Sequence, residues 1–128
     1  MKYLLILPGD PKTKKNSQRI LKNSKTGASF VAPSSNYIYY QNQCIVYIRR
    51  CSGLPPEPIS YPVNVKVVYY METRRLVDLT NLLEATMDIL VNAQILADDN
   101  SRIVAGHDGS RVLYDRAMPR AEVFIDPI

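Results

Sequence analysis

A change of hydrophobic period in the middle of the chain constrains the fold more than any other feature. Residues 63–71 form a run of β-branched and aromatic side chains, which predicts a buried strand. From Leu79 to Leu90 the apolar residues instead recur at steps of three and four, which predicts an amphipathic helix. The fold must therefore combine a sheet with helices.

Weaker patterns predict the other elements. We expect strands over residues 2–7, 102–105 and 121–125, a hairpin formed by residues 17–21 and 29–32, and a helix from Ser34 or Ser35 to about Arg50. Four prolines between Pro55 and Pro62 predict a stiff, exposed connector. Because there is no regular βαβ alternation, we predict one α+β domain over residues 1–128, with a mixed β-sheet packed against two main helices.

Composition excludes several classes of protein. No apolar run approaches the roughly 18 residues of a membrane span, and the first residues do not read as a secretory signal, so we expect a cytoplasmic protein. Cys44 and Cys51, two helical turns apart, would lie about 10 Å from each other, beyond disulfide reach, and we expect them to pack. Two cysteines and one histidine cannot form a four-ligand zinc site, and no glycine motif indicates a nucleotide cofactor.

Charge is unevenly distributed. Residues 1–50 hold nine of the sixteen lysines and arginines and a single acid, Asp10, which gives a net charge of +8, whereas the remainder carries −4. The bases cluster with amides and hydroxyls that can donate to phosphate oxygens, so we predict a nucleic-acid contact here. A solvated basic loop without a partner is the alternative. The candidate contact residues in this region are Lys12, Lys14, Lys15, Asn16 and Arg19.

Acidic side chains mark the second helix. Asp78, Asn81, Glu84 and Asp88 follow one another at steps of three, three and four, so they share one face, and the pair Asp98-Asp99 comes after the helix. Two carboxylates 4 Å apart repel by about 4 kcal/mol at an effective dielectric constant of 20, unless a cation lies between them. We therefore predict a Mg²⁺ site. The alternatives are a helix cap at Asp78, a solvated helix face and a turn at Asp98-Asp99.

Other polar residues near this block are less specific. Arg74 and Arg75 could contact a phosphate at the start of the helix, or could be a solvated pair. His107 lies in a predicted turn, and no nucleophile-elbow sequence supports a serine-histidine-aspartate triad.

The block VDLTNLLEATMDIL at residues 77–90, followed by Asp98-Asp99, resembles the RusA family of Holliday-junction resolvases, which is common in phages and prophages. The basic segment at residues 11–17 is similar to the family's basic loop, and residues 108–111 also have counterparts in some members. The resemblance implies a homodimeric, Mg²⁺-dependent endonuclease that makes paired nicks in four-way DNA junctions. By position, it implies metal-binding or catalytic roles for Asp78 and Asp99, with Asp88, Asp98 and Asn81 in supporting roles.

Two positions depart from the family pattern. Thr80 stands where the family usually has a second acid, and Glu84 stands where it usually has a lysine. Because these positions are one helical turn apart, we hypothesise that Glu84 restores the missing carboxylate. We therefore predict that Asp78, Asp99 and Glu84 act in catalysis, that Asp98 joins them as a metal ligand, and that Mn²⁺ is a possible substitute ion. A branched-DNA-binding protein that has lost its chemistry, or an enzyme for single-stranded or flapped nucleic acid, are the alternatives.

Overall fold

The predicted strand over residues 63–71 lies inside a five-stranded mixed sheet. The computed structural model describes residues 3–14, 18–22, 24–33 and 35–128. In chain order, the elements are β1 (Tyr3–Pro8), β2 (Gln18–Lys22), β3 (Ser29–Pro33), α1 (Ser35–Arg50), β4 (Val63–Met71), α2 (Leu79–Asn92), β5 (Val104–Gly106), β6 (Arg111–Tyr114) and β7 (Arg120–Pro127). These elements confirm the predicted α+β class.

Both edges of β4 are paired. One edge runs antiparallel to β7, which also pairs antiparallel with β1. The other edge runs parallel to two short strands in succession: β5 beside Val63 and Asn64, and β6 beside the stretch from Val68 to Met71. Residues 107–110, between β5 and β6, therefore pass the middle of this edge. The strands β2 and β3 form a separate hairpin.

The core lies between one face of the sheet and the two helices. Along β1 and β7, buried residues alternate with more exposed ones, as expected for strands with only one covered face. The interior face of α2 contributes Leu82, Leu83, Ile89 and Leu90 to the same hydrophobic cluster. Fully burying one such side chain stabilises the fold by about 1.5–3 kcal/mol, so the stripe that predicts α2 also attaches it to the sheet.

The first helix packs through a narrower stripe. Tyr37, Tyr40, Cys44 and Ile48 are its buried residues, whereas Tyr39 is 68% exposed. Both cysteines are free, as expected. Burial raises the pKa of the Cys44 thiol to about 11, which keeps it neutral and confirms its packing role.

Most predicted elements are confirmed, with shifted ends. The helix α2 continues two residues past Leu90, and β5 begins two residues later than predicted. The strand β6 was not predicted. The proline-rich connector is mostly exposed, but Ile59 within it is buried, and its backbone accepts a hydrogen bond from the Ala97 amide and donates one to the Ile95 carbonyl, each 2.9 Å long. This anchor fixes the chain just before Asp98. None of the helices among the described residues has the length and apolarity that crossing a bilayer requires.

Candidate active site

Asp78 caps α2. Its backbone is extended, and its Oδ1 accepts hydrogen bonds from the Thr80 amide at 3.2 Å and the Thr80 hydroxyl at 2.8 Å. Its carbonyl accepts from the Leu82 amide at 3.1 Å. An N-cap of this kind stabilises a helix by about 1 kcal/mol. Asp78 therefore caps the helix and also orients Thr80, and its role as a metal ligand stays a prediction.

An open cavity of about 280 Å³ lies beside the first two turns of α2. The helix supplies Thr80, Leu83, Glu84 and Met87, spaced so that all four lie on one face. The remaining walls are Asp99 and His107. The fold thus brings together two predicted site carboxylates, Glu84 and Asp99, which are fifteen residues apart in the chain.

Asp99 lies just before the turn at residues 101–103, in a segment held by local hydrogen bonds. The Asp98 carboxylate accepts a hydrogen bond from the Asp99 amide at 2.7 Å on Oδ1 and from the Asn100 side chain at 3.1 Å on Oδ2. The Asn100 side chain in turn accepts from the Arg102 amide at 3.0 Å. The two aspartates therefore differ: Asp98 accepts hydrogen bonds from its neighbours in the chain, whereas Asp99 lines the cavity. The turn lies after the pair, at residues 101–103, and metal binding by the pair stays a prediction.

The wall that carries His107 is fastened to the edge of β4. His107 Nδ1 lies 2.8 Å from the Val65 carbonyl oxygen, and the Ser110 hydroxyl accepts from the Val67 amide at 3.0 Å. The Asn64 side chain donates to the Asp108 carbonyl at 3.1 Å and accepts from the Asp108 amide at 2.8 Å. Because β5 and β6 leave this part of the edge unpaired by strands, these side chains replace the missing ladder bonds.

This arrangement fixes the tautomer of His107. A carbonyl oxygen can only accept, so Nδ1 carries the hydrogen, and in the neutral ring Nε2 has a lone pair. His107 was not predicted as a site residue, because its sequence context indicates only a turn. Its place in the cavity depends on the parallel pairing of β5 and of β6 with β4, for which the sequence has no clear signal.

Asp88 lies one turn beyond Glu84 and forms an ion pair with Lys14. The nearby Tyr37 hydroxyl has a pKa raised by burial and further by the negative charges of Asp88 and Glu84, so it stays protonated. Asp88 therefore connects the loop after β1 to α2, and its supporting role at the site stays a prediction. Asn81 is half-buried on the same helix.

The predicted phosphate-contact residues fall into three groups. Lys12 is paired with Asp10 at 3.3 Å, and Lys14 with Asp88. Arg74 and Arg75 are exposed in the segment 72–78 that leads into α2, and both line an open groove of about 520 Å³. Lys15 and Asn16, and the side chain of Arg19, lie outside what the structure describes.

The donor set of the cavity suits a hard cation that keeps much of its own hydration. Across residues 3–14, 18–22, 24–33 and 35–128, no cluster of three or more His, Cys, Asp or Glu side chains is arranged to enclose a metal ion. Glu84 and Asp99 nevertheless offer two carboxylates in one open cavity. Mg²⁺ commonly uses one or two carboxylates, with water and substrate phosphate oxygens as the other ligands. The residues present therefore fit this ion.

Comparison with known families gives one match. The family model described as Endodeoxyribonuclease RusA matches residues 8–126, nearly the whole chain. No curated protein matches the sequence significantly. The family match covers all the residues that line the cavity. The chain therefore belongs to the RusA family of endodeoxyribonucleases, and this membership implies a nuclease that acts on Holliday junctions.

Proposed function

We propose that this protein is a Mg²⁺-dependent, structure-specific endonuclease that resolves four-way DNA junctions as a homodimer, with one cavity in each subunit. The observation that carries the proposal is the convergence of Glu84 and Asp99 in the cavity beside α2, within a chain of the RusA family. Two sites related by a two-fold axis match the two strands that must be cut in a junction.

In this proposal Glu84 and Asp99 hold the ion, and Thr80 lines the wall between them and Asp78. When bound, Mg²⁺ lowers the pKa of a coordinated water and stabilises negative charge on the phosphate. The His107 Nε2 lone pair can accept a hydrogen bond from a water in the cavity, because Nδ1 carries the ring hydrogen and donates it to the Val65 carbonyl. The Asp98 carboxylate positions Asp99 by accepting a hydrogen bond from the Asp99 amide.

A metal-binding role for Glu84 would account for the two positions, Thr80 and Glu84, that depart from the family pattern. Thr80 replaces a family acid, and its hydroxyl donates to Asp78 instead of contributing a negative charge. Glu84 lies one turn later and lines the same cavity. We propose that Glu84 supplies the missing carboxylate. The Asp78 and Asp98 carboxylates already accept local hydrogen bonds, and their direct coordination of the ion remains a prediction. The use of Mn²⁺ also remains a prediction.

The basic residues would hold the DNA. Arg74 and Arg75 precede Asp78 by four and three residues, so guanidinium groups and site carboxylates occupy neighbouring parts of the chain. Lys12 and Lys14, on the loop after β1, offer a second phosphate contact, with Lys14 held beside α2 by Asp88. Lys15, Asn16 and Arg19 remain predicted contacts.

The test compares wild type, Glu84→Gln and Asp99→Asn on a labelled four-way junction, a linear duplex and a single strand, in Mg²⁺ and in Mn²⁺. We expect the wild type to cut the junction, and each variant to cut it on the order of 100-fold more slowly, because one metal-binding charge is lost. Glu57→Gln is the matched control: it removes an exposed acid in the proline-rich connector and should cut at the wild-type rate.

One alternative function has an observation in its favour. Thr80 in place of an acid, and the lack of a three-residue metal cluster in the described part of the chain, suit a protein that binds branched DNA without cutting it. That alternative predicts tight junction binding with no product in either metal. Equal cutting by wild type and Glu84→Gln would instead retain the nuclease and reject the proposed role of Glu84.

A further inference from the structure

Leu76 is exposed to an extent that packing does not explain. Its side chain is 96% exposed, the highest value for a large apolar residue in the described part of the chain. The next residue, Val77, packs against the hydrophobic core. A leucine left in water forgoes the free energy that burying its side chain would contribute. This leucine lies only two residues before Asp78.

The surroundings of Leu76 are basic and aromatic. Arg74 and Arg75 immediately precede it, and the Arg74 guanidinium lies over the Tyr114 ring, 4.3 Å from its centroid. The groove beside them is walled mainly by residues of β4 and β6, namely Tyr70, Val112, Leu113 and Tyr114. Leu113 is 43% exposed. Arginine planes and aromatic rings are surfaces on which nucleobases stack, and the positive charge complements phosphate.

We propose that Leu76 is an apolar wedge that enters the base stack at the branch point of the junction, and that the groove of Arg74 and Tyr114 receives the base that loses its neighbour. The proposal rests on the proposed function, because it assigns the recognition of branched DNA to this segment. Apolar side chains that enter a duplex unstack one base step, which costs free energy. A branch point, where stacking is already interrupted, lowers that cost, so the wedge would favour junctions over linear duplex.

The chain limits where the wedge can act. Two residues span at most about 7 Å, so the Leu76 backbone lies within that distance of the Asp78 backbone. Nucleotides along one strand are spaced by about 3.4 Å. The unstacked step would therefore lie within about two nucleotides of a phosphate near the start of α2. In this way the position of the branch would determine the position of the cut.

The experiment uses a four-way junction with 2-aminopurine at the branch point, and a second junction with the same base in the middle of one arm. Protein is added in EDTA, so that no strand is cut and only base unstacking is measured. We expect the wild type to brighten the branch-point probe and not the arm probe. Leu76→Ala should lose the brightening and bind the junction roughly tenfold more weakly or worse, with duplex affinity unchanged.

Two further variants make the result specific. Leu76→Met keeps an apolar side chain and should restore both the brightening and the affinity. Ile128→Ala removes another exposed apolar residue, 77% exposed, whose amide bonds to Pro62 at the opposite end of β4, and it should behave as wild type. All these variants should melt at the wild-type temperature, because the changed side chains are exposed.

The outcomes separate the wedge from the proposed function. Equal brightening with wild type and Leu76→Ala overturns the wedge, as does a wild type that binds and cuts the junction while the probe stays dark. If Leu76→Ala binds the junction as tightly as wild type, the wedge is again rejected. A wild type that does not bind the junction at all rejects both proposals.

Discussion

Two stretches of irregular chain border the candidate active site, and they are held in opposite ways. Residues 107–110 are fastened along their length to β4 through Asn64, His107 and Ser110. The hydrogen bonds that hold residues 72–78 lie at the two ends: the Asp10 carboxylate accepts from the Glu72 amide at 2.9 Å, and Asp78 caps α2. Between these ends Arg74 stacks on Tyr114, and Val77 packs against the core. Residues 72–76 are all exposed.

The difference separates two tasks. The fastened stretch forms a wall of the carboxylate cavity, where small displacements would change the positions of ligands and water. The open stretch carries Arg74, Arg75 and Leu76, which are all exposed and available to DNA, although Arg74 also stacks on Tyr114. Substitutions in the fastened stretch should therefore reduce stability, and substitutions in the open stretch should reduce DNA affinity.

The largest effect on stability should come from Asn64→Ala. This change removes both hydrogen bonds to Asp108 and leaves the Asp108 amide without its side-chain acceptor, so we expect the free energy of unfolding to fall by about 1–3 kcal/mol. Urea denaturation followed by circular dichroism measures it. Arg75→Ala, in the open stretch, is the control and should change stability by less than about 0.5 kcal/mol. Equal effects of the two variants would remove the distinction between the stretches.

Gly109→Ala should have the next largest effect. Gly109 has φ +87°, and an added Cβ would lie 2.8 Å from Cδ of Lys66, whose side chain would have to shift. We expect a loss of about 1–2 kcal/mol, most of it from the backbone conformation. Gly53→Ala, at φ +75° with nothing within 4 Å, isolates the backbone contribution. A greater loss at Gly53 than at Gly109 would show that the wall accommodates the methyl group freely.

The two arginines of the open stretch should affect binding alone. Arg74→Ala and Arg75→Ala should each weaken junction binding by about 1 kcal/mol and lower the slope of log affinity against log salt by about 1. Fluorescence anisotropy over a salt series measures both quantities. A melting temperature that falls along with the affinity would show that this stretch is structural after all.

The smallest effect concerns the turn after β6. Arg120, stacked 3.9 Å over the Tyr70 ring, donates a hydrogen bond to Asp115, and this bond is the main reason that the pKa of Asp115 is lowered. A lowered pKa means that the stabilisation is present above the ordinary aspartate range and is lost as the pH falls through the folded-state value. Below neutrality, the melting temperature of Asp115→Asn should therefore depend less on pH than that of the wild type. Parallel pH profiles for the two proteins would contradict this.

The sequence was most informative where one physical signal dominated. The bounds of β4 and the start of α2 follow from runs and stripes of apolar residues, which packing against the core preserves. The strand β6 was missed because four residues on a sheet edge, mostly exposed, carry little alternation. Its position depends on parallel pairing with β4, which involves residues about forty apart in the chain.

The site divides in the same way. Helical spacing placed Glu84 on the polar face of α2, and the family resemblance marked Asp99. Neither showed that the Asp98 carboxylate would accept hydrogen bonds from Asp99 and Asn100. Local hydrogen bonds of Asp98 and of Asp78 depend on backbone conformations that residue types alone do not determine. His107 reached the cavity through a tertiary contact with Val65, which no local pattern encodes.

The order of strands in the sheet also determines when the sheet can form during synthesis of the chain. The strand that joins β1 to β4 is β7, the last one synthesised, and its partners Tyr3 and Ile125 are separated by nearly the whole chain. Contacts so distant in sequence slow folding. The sheet therefore cannot close until β7 has been synthesised, and an unfinished polypeptide would lack the complete sheet against which α2 packs.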